Sequence, residues 1–488
     1  MNFLALDVGT TACKCQLFSE RGEILFYTAE EYPLIEREGE RYVDIEGIVR
    51  RVFSMMRAAA QAAPYASVCI SSFGESFVLL DEEDNVLSYP MLYTDPRGEE
   101  EAREIEEKIG SERMFAVTGT VPAALYSVSK LLWLKKHRPA VYAKADKLLL
   151  ICDYLGYLLT GERVIDYSLA ARTGVFDIRK KQFAAGILRE LDIPAALFSR
   201  PLPTGSVVGE LKGEVKASLG MAGGCKLILG SHDQVCATLG AGVVAGGEAA
   251  DGMGTVECIT AVFEEAPADI AFGKMGYCVV PFLSDLYCTY MFNYTSNVVV
   301  NWFRRDILHG YQGEEAEQFS YLEKVLPPQT DVLLLPYFAG CATPYQDGNA
   351  KGAFVNLTKD TSDGDLYRAV LEGTSFEMKL NLQAAAAYGV HVNELTATGG
   401  GANSAPWLQI KSDVLGLRVK TLRSSEGGLC GCAMLSAAAL GACENLQEAR
   451  GVFVRYKDEF VPQAGSAQMY AQKYAKYKKL YPILKEVF

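Results

Sequence analysis

Phe3-Leu4-Ala5-Leu6-Asp7-Val8-Gly9-Thr10-Thr11 reads as an apolar strand that empties through a carboxylate into a Gly-Thr turn. The phrase returns as Ala249-Ala250-Asp251-Gly252-Met253-Gly254-Thr255-Val256. Its aspartate lies 244 positions after the first, half of the 488-residue chain. Backbone N–H groups and hydroxyls in such turns suit phosphate oxygens, and glycine lets the backbone approach closely. Two matched turns, one at the start of each half, are what two lobes need to grip one polyphosphate from both sides. Asp7 is then the expected seat of Mg²⁺, held through water because magnesium keeps part of its hydration shell, with Lys14 as an added cation.

Working outward, residues 1–30 alternate as β structure, and Val43 to Ala63 reads helical behind an Asp44 cap. Val68 to Gly74 is a buried strand, and Phe77–Leu80 and Val86–Tyr93 form a hairpin about Asp84-Asn85. Helices are expected near 98–109, 127–144 and 150–159, and Ile165-Asp166-Tyr167-Ser168 reads as a loop. A strand over 223–230 delivers Ser231-His232-Asp233-Gln234 to its tip, where ligands bind in α/β sheets. The second half repeats the plan. Strands are expected over 255–262, 276–293, 332–335 and 395–398, with helices near 296–308, 365–388 and from Ala405. Residues 467–486 read as a solvated helix packed on the second lobe. The expected fold class is α/β with layered strands and helices in both halves. The boundary falls near Val244–Gly247, giving an N-terminal lobe over 1–246 and a C-terminal lobe over 247–488.

Composition narrows the function classes. Hydrophobic residues make up 49% and charged residues 22%, as in ordinary globular proteins, and the length asks for more than one core. A net charge of −13 argues against a nucleic-acid partner. No run of ~20 apolar residues is present, so no membrane span is expected. The 13 cysteines have no framework spacing, and Cys13/Cys15 and Cys430/Cys432 read as small buried residues rather than zinc ligands. Free thiols and a start without a leader pattern point to the cytoplasm.

Asp233 is the expected chemical residue, because phosphoryl transfer to an alcohol needs a carboxylate to accept the hydroxyl proton. A helix N-cap is its structural alternative. Ser231, His232 and Asp233 do not read as a hydrolase triad, since adjacent residues do not readily converge and no Gly-x-Ser-x-Gly elbow is present. Glu75, after Gly74 at a strand tip, is expected to accept hydrogen bonds from a polyol, and Tyr93 and Tyr126 to offer flat faces to a sugar. Gly399-Gly400-Gly401-Ala402-Asn403-Ser404, between a strand and a helix, gives a flat surface for a purine, ribose or phosphate. Tight strand–helix packing would need the same glycines. Neither a P-loop nor a dinucleotide fingerprint is present.

On these residues the chain resembles the FGGY carbohydrate kinases of the actin–hexokinase superfamily. DVGTTACK (7–14), residues 130–162, DYSLAARTGVFDI (166–178), GSHDQVCATLGAG (230–242), GMGT (252–255), AKGAFVNLT (350–358), LEGTSFE (371–377) and residues 399–416 carry the likeness. The resemblance implies two lobes with ribonuclease-H-like mixed sheets, ATP and Mg²⁺ in the cleft, and phosphorylation of a sugar or polyol hydroxyl. By position it implies Asp233 as catalytic base, with Asp7 and Asp233 as the magnesium-associated carboxylates. Gly9, Thr10, Thr11, Gly254 and Thr255 match the phosphate turns. Gly400, Gly401, Ala402 and Asn403 match the adenosine segment, and Gly340 with Cys341 falls in a further cleft segment. Gly74, Glu75, Tyr93, Tyr126, Asp233 and Gln234 are the implied substrate residues.

Substrate choice follows departures from the family. Phe73-Gly74-Glu75 stands where xylulose kinases show Gln-Met-His and glycerol kinases Gln-Arg-Glu. The Phe-Gly turn and TDPR (94–97) look more like rhamnulose and fuculose kinases. A small residue at 74 is read as leaving extra room, favouring a ketopentose, ketohexose or four- to six-carbon polyol. A polyol kinase of glycerol or erythritol type is the alternative. A non-catalytic ATP/sugar sensor and an ATP-driven chaperone or filament protein are further readings, which the Asp7, Asp233 and double Gly-Thr set counts against. A homodimer is an open expectation.

Overall fold

The computed structural model describes residues 1–37, 39–308, 313–424 and 426–488. Each repeated phrase is the first hairpin of a sheet. β1 (Asn2–Val8) runs antiparallel to β2 (Ala12–Ser19), which pairs with β3 (Ile24–Glu31). β4 (Ser67–Ser72) joins β1 in parallel, and β5 (Val207–Glu210) and β6 (Lys226–Ile228) complete the order β5-β6-β4-β1-β2-β3.

The second sheet repeats this arrangement. β7 (Glu248–Met253), β8 (Glu257–Phe263), β9 (Val280–Pro281), β10 (Tyr287–Asn293), β11 (Glu394–Thr398), β12 (Arg418–Leu422) and β13 (Tyr456–Phe460) stand in the order β9-β10-β8-β7-β11-β12-β13. In each sheet an antiparallel three-strand meander, β3-β2-β1 or β10-β8-β7, adds two parallel strands beside its first member. Phe3 to Leu6 are buried on both faces of the sheet, as expected for strands covered from two sides. This is the two-lobed actin/hexokinase-like fold.

Helix α1 (Ile45–Ala62) starts at Asp44, whose carboxylate accepts from the Gly47 N–H, and buries Ile48, Val52, Met55 and Met56. The seam between the lobes is made by α2 (Asp233–Gly240) and α6 (Gly427–Ala439), the pair of elements in most extensive mutual contact among the described residues, ahead even of neighbouring strands. α6 also lies against β1 and β4, so a helix from the second half covers the first half's sheet. The helices approach through glycine. A Cβ at Gly240 would meet Gly427 O at 1.9 Å, and one at Gly431 would meet Cys236 O at 2.1 Å. α3 (Asn297–Trp302), α4 (Asp363–Ala386) and α5 (Ala405–Leu415) complete the second lobe around a cavity described below.

Several local expectations change. Residues 165–168 are not a loop: Val164–Asp166 is a strand and Tyr167–Ala171 a helix capped by Asp166. Only Val86–Ser88 of the 86–93 segment is strand, and the long 276–293 strand is broken into β9 and β10. In the C-terminal segment Tyr470, Tyr474 and Tyr477 are buried around Phe376, so that helix contributes core as well as a solvated face.

Candidate active site

Asp233 opens α2 directly after β6, with one third of its side chain open to solvent. Its Oδ1 accepts the Gln234 N–H at 2.6 Å and lies 3.2 Å from His232 Nε2. Oδ2 takes no protein hydrogen bond among the described residues. Burial, and then the nearby charge of Asp7, push this carboxyl up to about 7. The adjacent residues therefore do meet in part, contrary to the sequence expectation. Ser231 turns away, its hydroxyl 2.7 Å from Asp166 Oδ2 and 2.5 Å from Ser168 Oγ, so no triad forms.

Asp7 ends β1 beside the start of α6, where its carboxylate oxygens lie 3.3 and 3.4 Å from the Cβ position of Gly428. Its Oδ1 is buried without a hydrogen-bond partner, and burial raises its proton affinity. Asp7, with its orphaned oxygen, raises the proton affinity of Asp233, and two such carboxylates fit a divalent cation between them. Lys14 differs from expectation. Its Nζ is 2.8 Å from Glu426 Oε2 across the seam, so its charge is already balanced within the protein.

The two Gly-Thr turns are tight hairpin ends. Gly9 N–H bonds to Ala12 O at 2.9 Å, and the Tyr32 hydroxyl donates to Gly9 O. Across the second turn, Met253 pairs with Glu257. Asn297 and Val298, the first residues of α3, donate backbone N–H groups to Gly254 O and Thr255 O. Beneath lies a fully buried triad that sequence reading missed: Lys411 Nζ is 2.5 Å from Asp251 Oδ2 and also contacts Glu257, which takes the Ser296 hydroxyl.

Gly400, Gly401, Asn403 and Ser404 line a cavity of about 350 Å³ together with Asn297, Asn301, Glu315 and Phe319. That volume is within the roughly 300–1,000 Å³ of small-molecule sites. The glycines divide their work. Cβ atoms at Gly399 and Gly401 would strike Met253, so these two serve strand–helix packing, while Gly400 faces the Asn297 amide. Ala402 is half-buried beside them. Gly340 does not line this cavity. It occupies a left-handed turn (φ 80°) backed onto Gly348, and its neighbour Cys341 is buried.

The sugar-side residues converge on Arg172, which the sequence left unassigned. Arg172 Nε donates to Glu75 Oε1 at 2.6 Å and Nη2 contacts the same oxygen. Its guanidinium carbon lies 5.1 Å from the Tyr126 ring centre and 6.0 Å from that of Tyr290. Glu75 sits at φ 61°, a sparsely populated conformation for a residue with a side chain, and Ser127 Oγ holds its carbonyl at 2.6 Å. Three expectations are corrected here. Glu75 spends one oxygen on Arg172, and the buried Tyr126 gives its face to the guanidinium. Gly74 leaves no spare room, because its Cβ position is 3.1 Å from both Arg172 Cγ and His232 Cδ2. Tyr93, 39% exposed and within the fields of Asp233 and Glu75, keeps an open ring. Arg172, His232, Tyr290 and Cys278 come from separate segments with no shared motif, so their spacing carried no signal.

Matched hairpins over a seam of carboxylates, with a cavity of small-molecule size beside one of them, are the geometry of a two-lobed ligand-binding cleft. Residues 2–240 match the N-terminal domain of the FGGY family of carbohydrate kinases and residues 253–440 its C-terminal domain, and the chain belongs to that family. It is 27% identical to xylulose kinase of Bacillus subtilis (strain 168), covering 99% of this chain and 97% of that protein. It is 26% identical to gluconokinase of the same organism, covering 91% and 88%. Among solved structures, xylulose kinase from Rhodospirillum rubrum superposes with a TM-score of 0.91 at 23% identity over 100% and 99% of the chains. Gluconate kinase from Lactobacillus acidophilus gives 0.89 at 24% over 99% and 98%. The chain is thus a carbohydrate kinase with ATP as phosphate donor and a small sugar as substrate. No described helix is long and apolar enough to cross a membrane.

Proposed function

We propose that the chain transfers the γ-phosphoryl group of ATP to a hydroxyl of a ketopentose or ketohexose, with Asp233 accepting the hydroxyl proton. The observation that carries this reading is the asymmetry of Asp233. Oδ1 is tied to its own helix, Oδ2 is free, and the carboxyl's proton affinity is tuned to neutral pH, where a general base works best. The xylulose kinases among its relatives support the ketose class.

The adenosine lies in the cavity at Gly400 and Asn403, and the phosphates between Gly9-Thr10-Thr11 and Gly254-Thr255. Asp7 and Asp233 would hold Mg²⁺ through water, which supplies positive charge against the phosphate oxygens. Closing the lobes excludes water and aligns the sugar hydroxyl with Asp233 Oδ2. Tyr93 offers its ring to the sugar, and Gln234 adds an amide beside the base. The Arg172–Glu75 pair forms a rigid polar wall.

An acid sugar is the second reading. Among the described residues Arg172 Nη1 meets only Cys278 Sγ, at 3.8 Å, leaving donor capacity for a carboxylate, and gluconokinases stand among the relatives. A polyol is the third. A panel of ketoses, aldonates and polyols with ATP and Mg²⁺, ranked by kcat/KM, separates them. A ketose winner is expected; an aldonate or polyol winner moves the assignment to that class, and no sugar-dependent ADP release rejects the kinase reading. A cytoplasmic location accords with 13 free cysteines, and light scattering tests the homodimer.

A further inference from the structure

Two segments carry the acceptor side of the site, the turn before Asp233 and the helix before Arg172, and they meet at one carboxyl group. Asp166 ends the strand Val164–Asp166 and caps the helix Tyr167–Ala171. Its Oδ1 accepts the Leu169 N–H at 3.1 Å and its Oδ2 the Ser168 N–H at 3.0 Å, as an aspartate before a helix should. The cap is only part of its work. Oδ2 also accepts the hydroxyls of Ser168 at 2.8 Å, Thr204 at 2.9 Å and Ser231 at 2.7 Å. Asp166, Ser168 and Ser231 are fully buried, so bulk water does not replace a lost partner.

Two paths run from this centre to the site. On the first, the Ser231 hydroxyl is tied to Asp166, the Ser231 carbonyl accepts the Ser72 N–H at 3.2 Å, and the His232 N–H donates to Ser168 Oγ at 3.3 Å. The turn is thus held by β4 on one side and by the Asp166 cap on the other, just before α2 begins at Asp233. On the second path, the Arg172 N–H lies 3.2 Å from Ser168 O and 3.0 Å from Leu169 O, the carbonyls of the two residues whose N–H groups Asp166 caps. The guanidinium that meets Glu75 therefore stands on a helix of five residues, too short to persist without outside support.

We propose that Asp166 is a positioning residue for both halves of the acceptor site: through Ser231 and Ser168 it fixes the turn that presents Asp233, and through the helix it caps it fixes the backbone that presents Arg172. A helix cap alone has no use for Ser231. The bond to that hydroxyl, across 65 residues of chain, joins the base and the substrate wall into one rigid unit. Losing the Ser231 bond loosens only the base turn, whereas losing the Asp166 carboxylate loosens both. The inference rests on Asp233 being the base of the proposed reaction.

The test compares kcat, sugar KM and hydrogen exchange in the full chain. Ser231→Ala removes one hydroxyl and is expected to lower kcat about 10-fold with sugar KM within about two-fold. Asp166→Asn turns an amide N–H₂ toward the donors at one of the two oxygen positions. It is expected to lower kcat about 10²-fold and to raise sugar KM about 10-fold, because the Arg172 helix loses its cap as well. Ser199→Ala is the control for general loosening: it removes a matched bond in the same lobe, from a buried serine hydroxyl to Oδ2 of buried Asp153 at 2.8 Å, and should lower Tm with kcat unchanged. Exchange of the amides of residues 231–234 is expected to run about 10-fold faster in Ser231→Ala and at the wild-type rate in Ser199→Ala. Three results overturn the proposal: a folded Ser231→Ala enzyme with wild-type kcat, a Ser199→Ala enzyme with an equal loss of kcat, or a folded Asp166→Asn enzyme with unchanged sugar KM. Should Asp166→Asn not fold, the Ser231→Ala comparison decides. Absence of sugar-dependent turnover in wild type would instead reject the proposed function, and the exchange comparison would then decide whether Asp166 holds the turn, equal rates in wild type and Ser231→Ala ruling it out.

Discussion

Gly431→Ala tests whether the lobe seam holds the chemistry in place. The added Cβ would stand 2.1 Å from Cys236 O and 2.9 Å from Cys236 C, against the 3.4 Å at which ordinary contact begins. The obstacle is backbone, so no rotamer change relieves it, and α2 and α6 must separate by more than about 1 Å. Cys236 lies in the same helical turn as Asp233, and Gly428 on α6 abuts Asp7, so both carboxylates shift with the helices. Overpacking of this kind costs about 1–3 kcal/mol. A displacement of about 1 Å at reacting groups costs on the order of 10²-fold in rate. The assay is sugar-dependent ADP release by a coupled enzyme system, with a thermal melt on the same preparation. The expected result is a kcat lower by about 10- to 10²-fold and a lowered Tm. Gly213→Ala, where a Cβ meets nothing within 4 Å, is the control and should match wild type. A Gly431→Ala enzyme with wild-type kcat and Tm would refute the view that this crossing sets the active-site geometry.

Other perturbations address separate parts of the account. Asp233 must be ionised to act, so kcat/KM is expected to fall as pH drops through about 7; a limb that Asp7→Asn leaves unmoved would count against the coupling of the two carboxylates. A carboxyl whose folded proton affinity is raised contributes stability below its unfolded value near 3.8 and loses it as pH rises through about 7. Asp233→Asn should therefore melt higher than wild type at pH 8, with the gap closing toward pH 4. Lys411→Met leaves Asp251 and Glu257 without their cation and is expected to destabilise by about 3–5 kcal/mol in denaturant titration. Gly400→Val fills the space before Asn297 and should raise the KM for ATP more than that for sugar.

The sequence was most legible where local chemistry repeats. A strand, a carboxylate and a Gly-Thr turn, written twice at half-chain spacing, marked the first hairpin of both sheets, and the small-residue run after Ser231 marked the helix carrying Asp233. Strand and helix ends were less legible because short buried segments carry little periodicity, as at 164–171. The substrate wall was nearly invisible. Arg172 reaches Glu75 across 97 residues and Cys278 across 106, and such contacts leave no spacing to read. Gly74 was misread for the same reason: an apparent vacancy in the sequence is a site of close packing by Arg172 and His232.

The most direct test of the whole account is Asp233→Asn, assayed for sugar-dependent ADP release and, by calorimetry, for sugar binding. A kcat lower by on the order of 10²–10⁴-fold with sugar affinity largely retained is the expected result. Turnover close to wild type would contradict the assignment of Asp233 as the base.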